Sequence, residues 1–445
     1  MNLSTNMAEE LTLKNFDPAS IIIGFTGSIG SGCTTFAQTL QETNGYKYYK
    51  LSSIIYNYAK ENNLPVTRSS LQSIGNDLRK NNTPHFFARK IMEKIDEDCK
   101  DSAIKKVVID SIRNDKEVMY FRQFPKFYLI SVYADREIRF NRLSTINGRY
   151  NREDFQRDDL RDATESFQYG QQVEKCNYLS DIVINSGESR DLTVPKIRET
   201  FVNDKLEKYI DLIEHGPTSE VRPHTNEKIM TLAYMESLFS SCLQRKVGAV
   251  IATEDGMIIS SGFNHVPPSE KTCYDEYGEC YRGYLKTEHS KKIKFCPACG
   301  SLINIACNKC GKDINAGSSV CGECGDPVNY ECPTCHEKVF EVFTPGGKRS
   351  IGKLLDVCRA LHAEENAILN IAKVGGTSLK GMTLYTTTFP CTLCANKIAQ
   401  VGIKKVIYSE TYTMKEACDI LRENSIDIVK FEGVKSQAFF KLYGY

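Results

Sequence analysis

Tryptophan is missing from these 445 residues, and so are long apolar runs: stretches such as Ile21–Ile23 extend for only a few residues. A helix crossing a bilayer needs roughly 20 consecutive apolar residues, so no segment here qualifies. The opening residues, MNLSTNMAEELTLK, lack the apolar centre of a secretory signal. Net charge is almost absent as well, because 57 Lys and Arg stand against 56 Asp and Glu, leaving +1. No global electrostatic case for nucleic-acid binding exists, and only a local basic groove would support one. The lack of Trp and of an RNA-stacking motif weighs the same way. A soluble cytoplasmic protein with no membrane partner is expected.

What is present is ordinary globular composition, 41% hydrophobic and 25% charged, at a length that predicts two to three domains. The 18 cysteines are the departure. Ten of them form five C-x-x-C pairs, and without an export signal that pattern points to metal more than to a disulfide scaffold.

Two α/β patterns follow one another. Short apolar strands are predicted at 21–25, 107–109, 127–132 and 181–185, separated by helices, as in a parallel sheet with right-handed crossovers. Breakers at Gly216-Pro217 and Arg222-Pro223 mark a boundary. A second pattern runs through a helix at 225–242, a strand hairpin at 247–251 and 256–262, a helix at 362–373, a strand at 382–387, a helix at 392–400 and a strand at 405–408. The expected divisions are a polar tail 1–20, a first domain 21–200, a helix and linker 201–222, and a second domain 223–445 interrupted by an insert at 286–345.

That insert is an internal repeat. Cys296, Cys299, Cys307 and Cys310 recur 25 residues later as Cys321, Cys324, Cys332 and Cys335. Eight thiolates suffice for two closed tetrahedral zinc sites, and the stretch resembles a double zinc ribbon. The inner four, Cys307, Cys310, Cys321 and Cys324, fit one ion, leaving the outer four for the other. Pairing within each repeat fits equally.

Two further motifs carry chemistry. Gly27-Ser28-Ile29-Gly30-Ser31-Gly32-Cys33-Thr34-Thr35 lies between the first strand and a helix. It resembles the phosphate-binding P-loop, with Cys33 where Lys belongs. Backbone amides at the helix start can still hold phosphate, Thr34 can reach Mg²⁺, and Asp110 matches the second Mg²⁺-side acid. Without the lysine, nucleotide binding is easier to defend than phosphoryl transfer. Arg113, Arg136, Arg139, Arg142 and Arg149 are candidate compensating cations.

The second motif is His362-Ala363-Glu364 with Pro390-Cys391-Thr392-Leu393-Cys394. It fits the H-x-E…P-C-x-x-C signature of zinc nucleobase deaminases. His362, Cys391 and Cys394 would supply three of four zinc positions, and an open fourth position marks a catalytic rather than a structural site. Glu364 would be the proton carrier, not a ligand. A structural site closed by Cys358 is the alternative.

The surrounding residues resemble the deoxycytidylate deaminases. Ser240–Ile251, Gly262-Phe263-Asn264, His362–Ile368, Thr383–Thr387 and Gly402–Tyr408 carry the likeness. It implies that Asn264 contacts deoxyribose and that Glu365 and Asn366 shape a substrate or subunit contact. Arg245 and Lys246 are candidate phosphate contacts, and Tyr408 and Tyr412 are candidates for lining the base pocket.

The whole is similar to bacterial anti-phage deoxycytidylate (dCTP/dCMP) deaminases. The implied fold is an N-terminal P-loop kinase-like parallel-sheet domain plus a C-terminal cytidine-deaminase-like α/β/α domain carrying the double zinc ribbon. The resemblance implies one catalytic and two structural zinc ions, Mg²⁺ with a regulatory nucleotide at the P-loop, and a homo-oligomer acting on dCTP or dCMP. An inhibitory RNA or protein partner is left open. Housekeeping pyrimidine salvage and nucleic-acid cytosine deamination are the competing activities.

Overall fold

The computed structural model describes residues 13–147, 151–163, 165, 169–187, 195–284, 309–310, 323–325, 335, 358–373, 375–411 and 415–444. Most of the cysteine-rich insert, including Cys296, Cys299, Cys307, Cys321 and Cys332, lies outside these residues, as do Arg149 and Tyr412.

Eleven described strands form two sheets. The first contains β1 (Ile21–Thr26), β2 (Lys47–Lys50), β3 (Lys106–Asp110), β4 (Phe127–Tyr133), β5 (Ile182–Asn185) and, from the far end of the chain, β11 (Gly433–Val434), in the order β11-β5-β4-β1-β3-β2. All neighbours are parallel except β11, which runs antiparallel to β5. Every residue of β1 is buried, as a central parallel strand with helices on both faces requires. Ile21, Ile23 and Phe25 point into one core with Phe36, Leu40 and Ile210, while Ile22 points into another with Phe87, Ile109 and Phe121.

The second sheet contains β6 (Gly248–Ala252), β7 (Ile258–Phe263), β8 (Thr383–Thr388), β9 (Lys405–Glu410) and β10 (Asp427–Lys430), in the order β10-β9-β8-β6-β7. β6 is antiparallel to both neighbours, whereas β8, β9 and β10 are parallel. Ala249 and Ile251 meet the helices Ala363–Lys373 and Thr392–Gln400 on one face; Val250 and Ala252 meet the helix Thr225–Leu238 on the other. Gly262 lets the first of these helices lie directly on β7, because a Cβ there would stand 2.5 Å from Ala367 N.

The α/β class and the two sheets match the sequence reading. The predicted helix 225–242 stops at Leu238. β2, β10 and β11 were not predicted. Lys47-Tyr48-Tyr49-Lys50 and Asp427-Ile428-Val429-Lys430 are four-residue strands ended by charge, too short for a period to show.

The units are joined by chain and by a buried ion cluster. After β10, β11 adds to the first sheet, and Ala438 and Leu442 of the helix Ser436–Tyr443 enter the first core, although the sequence assigned this stretch to the second domain. Lys435 between them is 1% exposed. Its ammonium donates to Glu410 at 2.7 Å and to the carbonyls of Tyr178 at 2.8 Å and Asn177 at 3.2 Å. Tyr234 also donates to Glu410, at 2.7 Å. Burial alone would raise the Glu410 carboxyl; Lys435 and Lys430 outweigh it and hold the group below its ordinary range.

Breaking one side of a buried pair strands the other charge. Lys435→Met is therefore expected to destabilise the folded protein by about 3 kcal/mol in chemical denaturation. Adding Glu410→Gln should recover part of the loss, and a single variant as stable as the parent would show that the cluster does not hold the units together.

Candidate active site

Two helix starts and one strand end build the site. His362 accepts the Asn366 N–H at 2.9 Å through its carbonyl, so it caps the helix Ala363–Lys373. Cys391 caps the helix Thr392–Gln400, with Ala395 N donating to its carbonyl at 2.8 Å. β8 ends at Thr388, and Phe389-Pro390 carries the chain from it to Cys391. Positive helix ends favour thiolate at this point.

Three donor atoms converge. His362 Nδ1 lies 3.3 Å from Cys391 Sγ and 3.4 Å from Cys394 Sγ. Ligands of a tetrahedral zinc with one nitrogen and two sulfurs stand about 3.6 Å apart on an N–S edge, so the set fits zinc. No other metal-competent group of three was found among the described residues. Cys358 is not part of it; its thiol hydrogen-bonds the His362 ring. Cys391 is held well below the usual thiol range by a hydrogen bond from Cys394 and another from His362, against burial. Both cysteines are buried.

Glu364 stands beside this set, 4% exposed. Thr386 Oγ1 donates to its Oε1 at 3.4 Å, and Cys394 Sγ lies 3.6 Å from its Oε2. Burial pushes the carboxyl above the ordinary Glu range, partly opposed by His362. A carboxyl shifted toward neutrality beside a metal-ligand set is suited to carrying protons.

The other expected site residues fall as follows. Asn264 is 8% exposed; its Oδ1 accepts from Val247 N at 2.7 Å and its Nδ2 donates to Arg245 O at 2.9 Å. It pins the turn before β6. Glu365 pairs with Lys397 at 2.6 Å, and Asn366 Nδ2 donates to the Phe263 carbonyl at 2.7 Å. Arg245 is exposed and in electrostatic reach of Glu174 of the first unit. Tyr408 is buried edge-on against Phe389 at 4.9 Å, with Lys430 Nζ 5.2 Å from its ring centre. Of the eight repeat cysteines, only Cys310, Cys324 and Cys335 are described.

In the first unit, Gly27, Ser28, Gly30, Ser31, Gly32 and Cys33 form the turn from β1 into the helix Cys33–Asn44. Gly30 and Gly32 take φ of +78° and +102°, the left-handed conformation that glycine tolerates. Asp110 is fully buried and accepts from Thr34 Oγ1 at 2.8 Å; Thr35 follows on the same helix. The described candidate arginines are each engaged by protein groups, and Arg113 is also in electrostatic reach of Cys33 and Asp110. Arg113 pairs with Asp162 at 2.5 Å and Arg136 with Asp159 at 3.3 Å. Arg139 donates to Ile29 O at 3.1 Å, and Arg142 to Gly30 O at 3.3 Å. Lys50, which sequence reasoning passed over, lies 3.4 Å from Asp110 Oδ2.

A buried carboxylate next to a His/Cys/Cys set at two helix starts is the constellation of zinc hydrolytic deaminases. The family model for the cytidine and deoxycytidylate deaminase zinc-binding region matches residues 223–410, and an AAA domain model matches residues 23–161. The deoxycytidylate deaminase of Enterobacteria phage T4 is 31% identical over 204 residues, which is 45% of this chain and 86% of that one. The deoxycytidylate deaminase of Schizosaccharomyces pombe is 25% identical over 312 residues, 70% of this chain and 71% of that one. Among solved structures, the dCMP deaminase of cyanophage S-TIM5 in complex with dCMP and dUMP is 23% identical, covering 48% of this chain and all of that one at a TM-score of 0.26. The chain belongs to the cytidine and deoxycytidylate deaminase family: it is a zinc-type deaminase joined to a P-loop domain.

Glu364→Gln is expected to keep zinc, measured by atomic absorption, while lowering ammonia release by about 10²- to 10⁴-fold. Undiminished turnover would remove Glu364 from the reaction.

Proposed function

We propose that this enzyme hydrolyses the amino group from deoxycytidine nucleotides, giving deoxyuridine nucleotides and ammonia. The observation that carries this reading is Glu364, buried 3.6 Å from a ligand sulfur of the His362/Cys391/Cys394 set. His362, Cys391 and Cys394 would hold a zinc ion, which would supply Lewis acidity and lower the pKa of a water toward neutrality. Glu364 takes the first water proton and passes it to ring N3, then carries the second, from the new C4 hydroxyl, to the departing N4 amine. The C4–N4 bond breaks, oxygen from water takes its place on C4, and ammonia leaves. Asn264 keeps one amide N–H beyond its Arg245 bond and would donate it to a sugar hydroxyl, and Arg245 would meet a phosphate. Glu365 and Asn366, tied to Lys397 and Phe263, would help shape the substrate or subunit contact.

Support for a deoxycytidine nucleotide substrate comes from the phage and yeast relatives, both named as deoxycytidylate deaminases. The finer reading is a dCTP- and dCMP-consuming enzyme that depletes dCTP during phage infection. It rests on the union of a P-loop domain carrying Gly32-Cys33-Thr34-Thr35 with this deaminase. The P-loop domain would hold a regulatory nucleotide with Mg²⁺ through Gly27, Ser28, Gly30, Ser31, Gly32, Cys33, Thr34, Thr35 and Asp110. The eight repeat cysteines would hold two structural zinc ions. Self-association belongs to the same reading.

The direct test incubates the full chain with dCMP, dCDP, dCTP, CTP and a cytosine oligonucleotide and follows uracil product. Turnover of dCMP or dCTP, with none of the oligonucleotide, is expected; turnover of the oligonucleotide alone overturns the assignment. Metal analysis of the same preparation should find about three zinc ions per chain, and a value near one would remove the ribbons.

A further inference from the structure

The turn Gly27–Cys33 is a phosphate cradle without its usual cation. Position 33 carries a thiol whose pKa burial pushes up to about 12, so it is neutral at physiological pH. Its Sγ rests 3.4 Å from Ser31 Oγ. Arg139 and Arg142 do not replace the missing charge in kind. Their guanidinium groups bond the carbonyls of Ile29, Gly30 and Ser31 and so brace the loop through its backbone.

Lys50 is placed differently. β2 pairs with β3 in a register that makes Lys50 and Asp110 direct neighbours. Its Nζ lies 3.4 Å from Asp110 Oδ2 and 3.5 Å from Thr34 Oγ1. These are the two oxygens that P-loop chemistry assigns to the Mg²⁺ side of a bound nucleotide. Asp110 already accepts from Thr34 at 2.8 Å, Tyr48 at 2.8 Å and Ser111 at 2.9 Å, so its charge is satisfied by hydroxyls as well as by the ammonium. The Lys50 side chain is 37% exposed. A lysine is a point charge on a flexible stem, and its contribution to phosphate binding depends on where the ammonium lies, not on which strand or helix supplies it.

We propose that Lys50 supplies, from the neighbouring strand, the phosphate-binding ammonium that position 33 lacks, so that the loop binds the polyphosphate of a nucleoside triphosphate. This rests on reading the loop as a nucleotide site. Thr34 and Asp110 would hold a nucleotide's Mg²⁺, which would leave the Lys50 ammonium free to turn toward the terminal phosphates.

Calorimetric titration of the full zinc-loaded protein with ATP and GTP, each with Mg²⁺, tests this. Neither is a cytosine nucleotide, so the zinc pocket is not their site. Lys50→Met is expected to weaken binding by about 10- to 100-fold, the worth of one charge-assisted contact. Cys33→Lys on the Lys50→Met background should restore most of it. Binding by the parent with Lys50→Met within twofold overturns the role of Lys50 and leaves the loop reading standing. No binding by the parent overturns both. If Lys50→Met melts early, chemical protection of Lys50 in the parent decides the matter. Bound nucleotide should protect Lys50 from acetylation by an N-hydroxysuccinimide ester, read by peptide mass spectrometry, and equal labelling with and without nucleotide overturns the proposal.

Discussion

The active site depends on the convergence of two helix starts at the edge of one sheet. His362 and Cys391 each cap a helix, and Cys394 lies one turn into the second. Three donors are thereby packed within ligand distance of one another, the two thiols buried and His362 half-buried. Such a cluster is unfavourable without a cation, because it gathers thiolates and a buried carboxyl in a low-dielectric pocket. Positive helix ends offset part of that cost, and a divalent ion would offset the rest. Gly262 and the small residues Ala363 and Ala367 let one of these helices lie flat on the sheet, which sets the His362 ring where it is.

The second unit is also fastened to the first at its far end. Glu410 closes β9, and its carbonyl accepts the Phe389 N–H at 2.9 Å, one residue before the Pro-Cys turn of the zinc motif. The same residue's carboxylate receives Lys435 and Tyr234. One residue thus contacts both the backbone leading to a metal ligand and the joint between the two sheets. β11 extends the first sheet by backbone pairing, and Val434, Ala438 and Leu442 join the first core, which ties the end of the chain to the P-loop unit.

Much of this was legible in the sequence because metal and phosphate chemistry impose short, fixed spacings. His-x-Glu and Pro-Cys-x-x-Cys specified the donor set, and the apolar runs at 21–25, 127–132 and 405–408 specified central strands, since buried strands are nearly all apolar. What escaped depends on register between distant segments. Lys50 gains its meaning only through pairing of β2 with β3, and Lys435 only through the return of β11 to the first sheet. For Asn264 the resemblance implies a deoxyribose contact, and the structure has two of its polar groups holding the turn at Arg245 and Val247. Arg139 and Arg142, candidate compensating cations by sequence, instead turn inward to backbone carbonyls of the loop.

The central claim is an ion with three protein ligands and one position left for chemistry. Diffraction at the zinc absorption edge from crystals of the full chain, grown with and without a deoxycytidylate analogue, addresses it directly. The account predicts an anomalous peak bonded to His362, Cys391 and Cys394, with its fourth position taken by water or by the analogue and Glu364 within hydrogen-bond reach of that position. A fourth protein ligand, Cys358 above all, or no peak at these three residues, would contradict it.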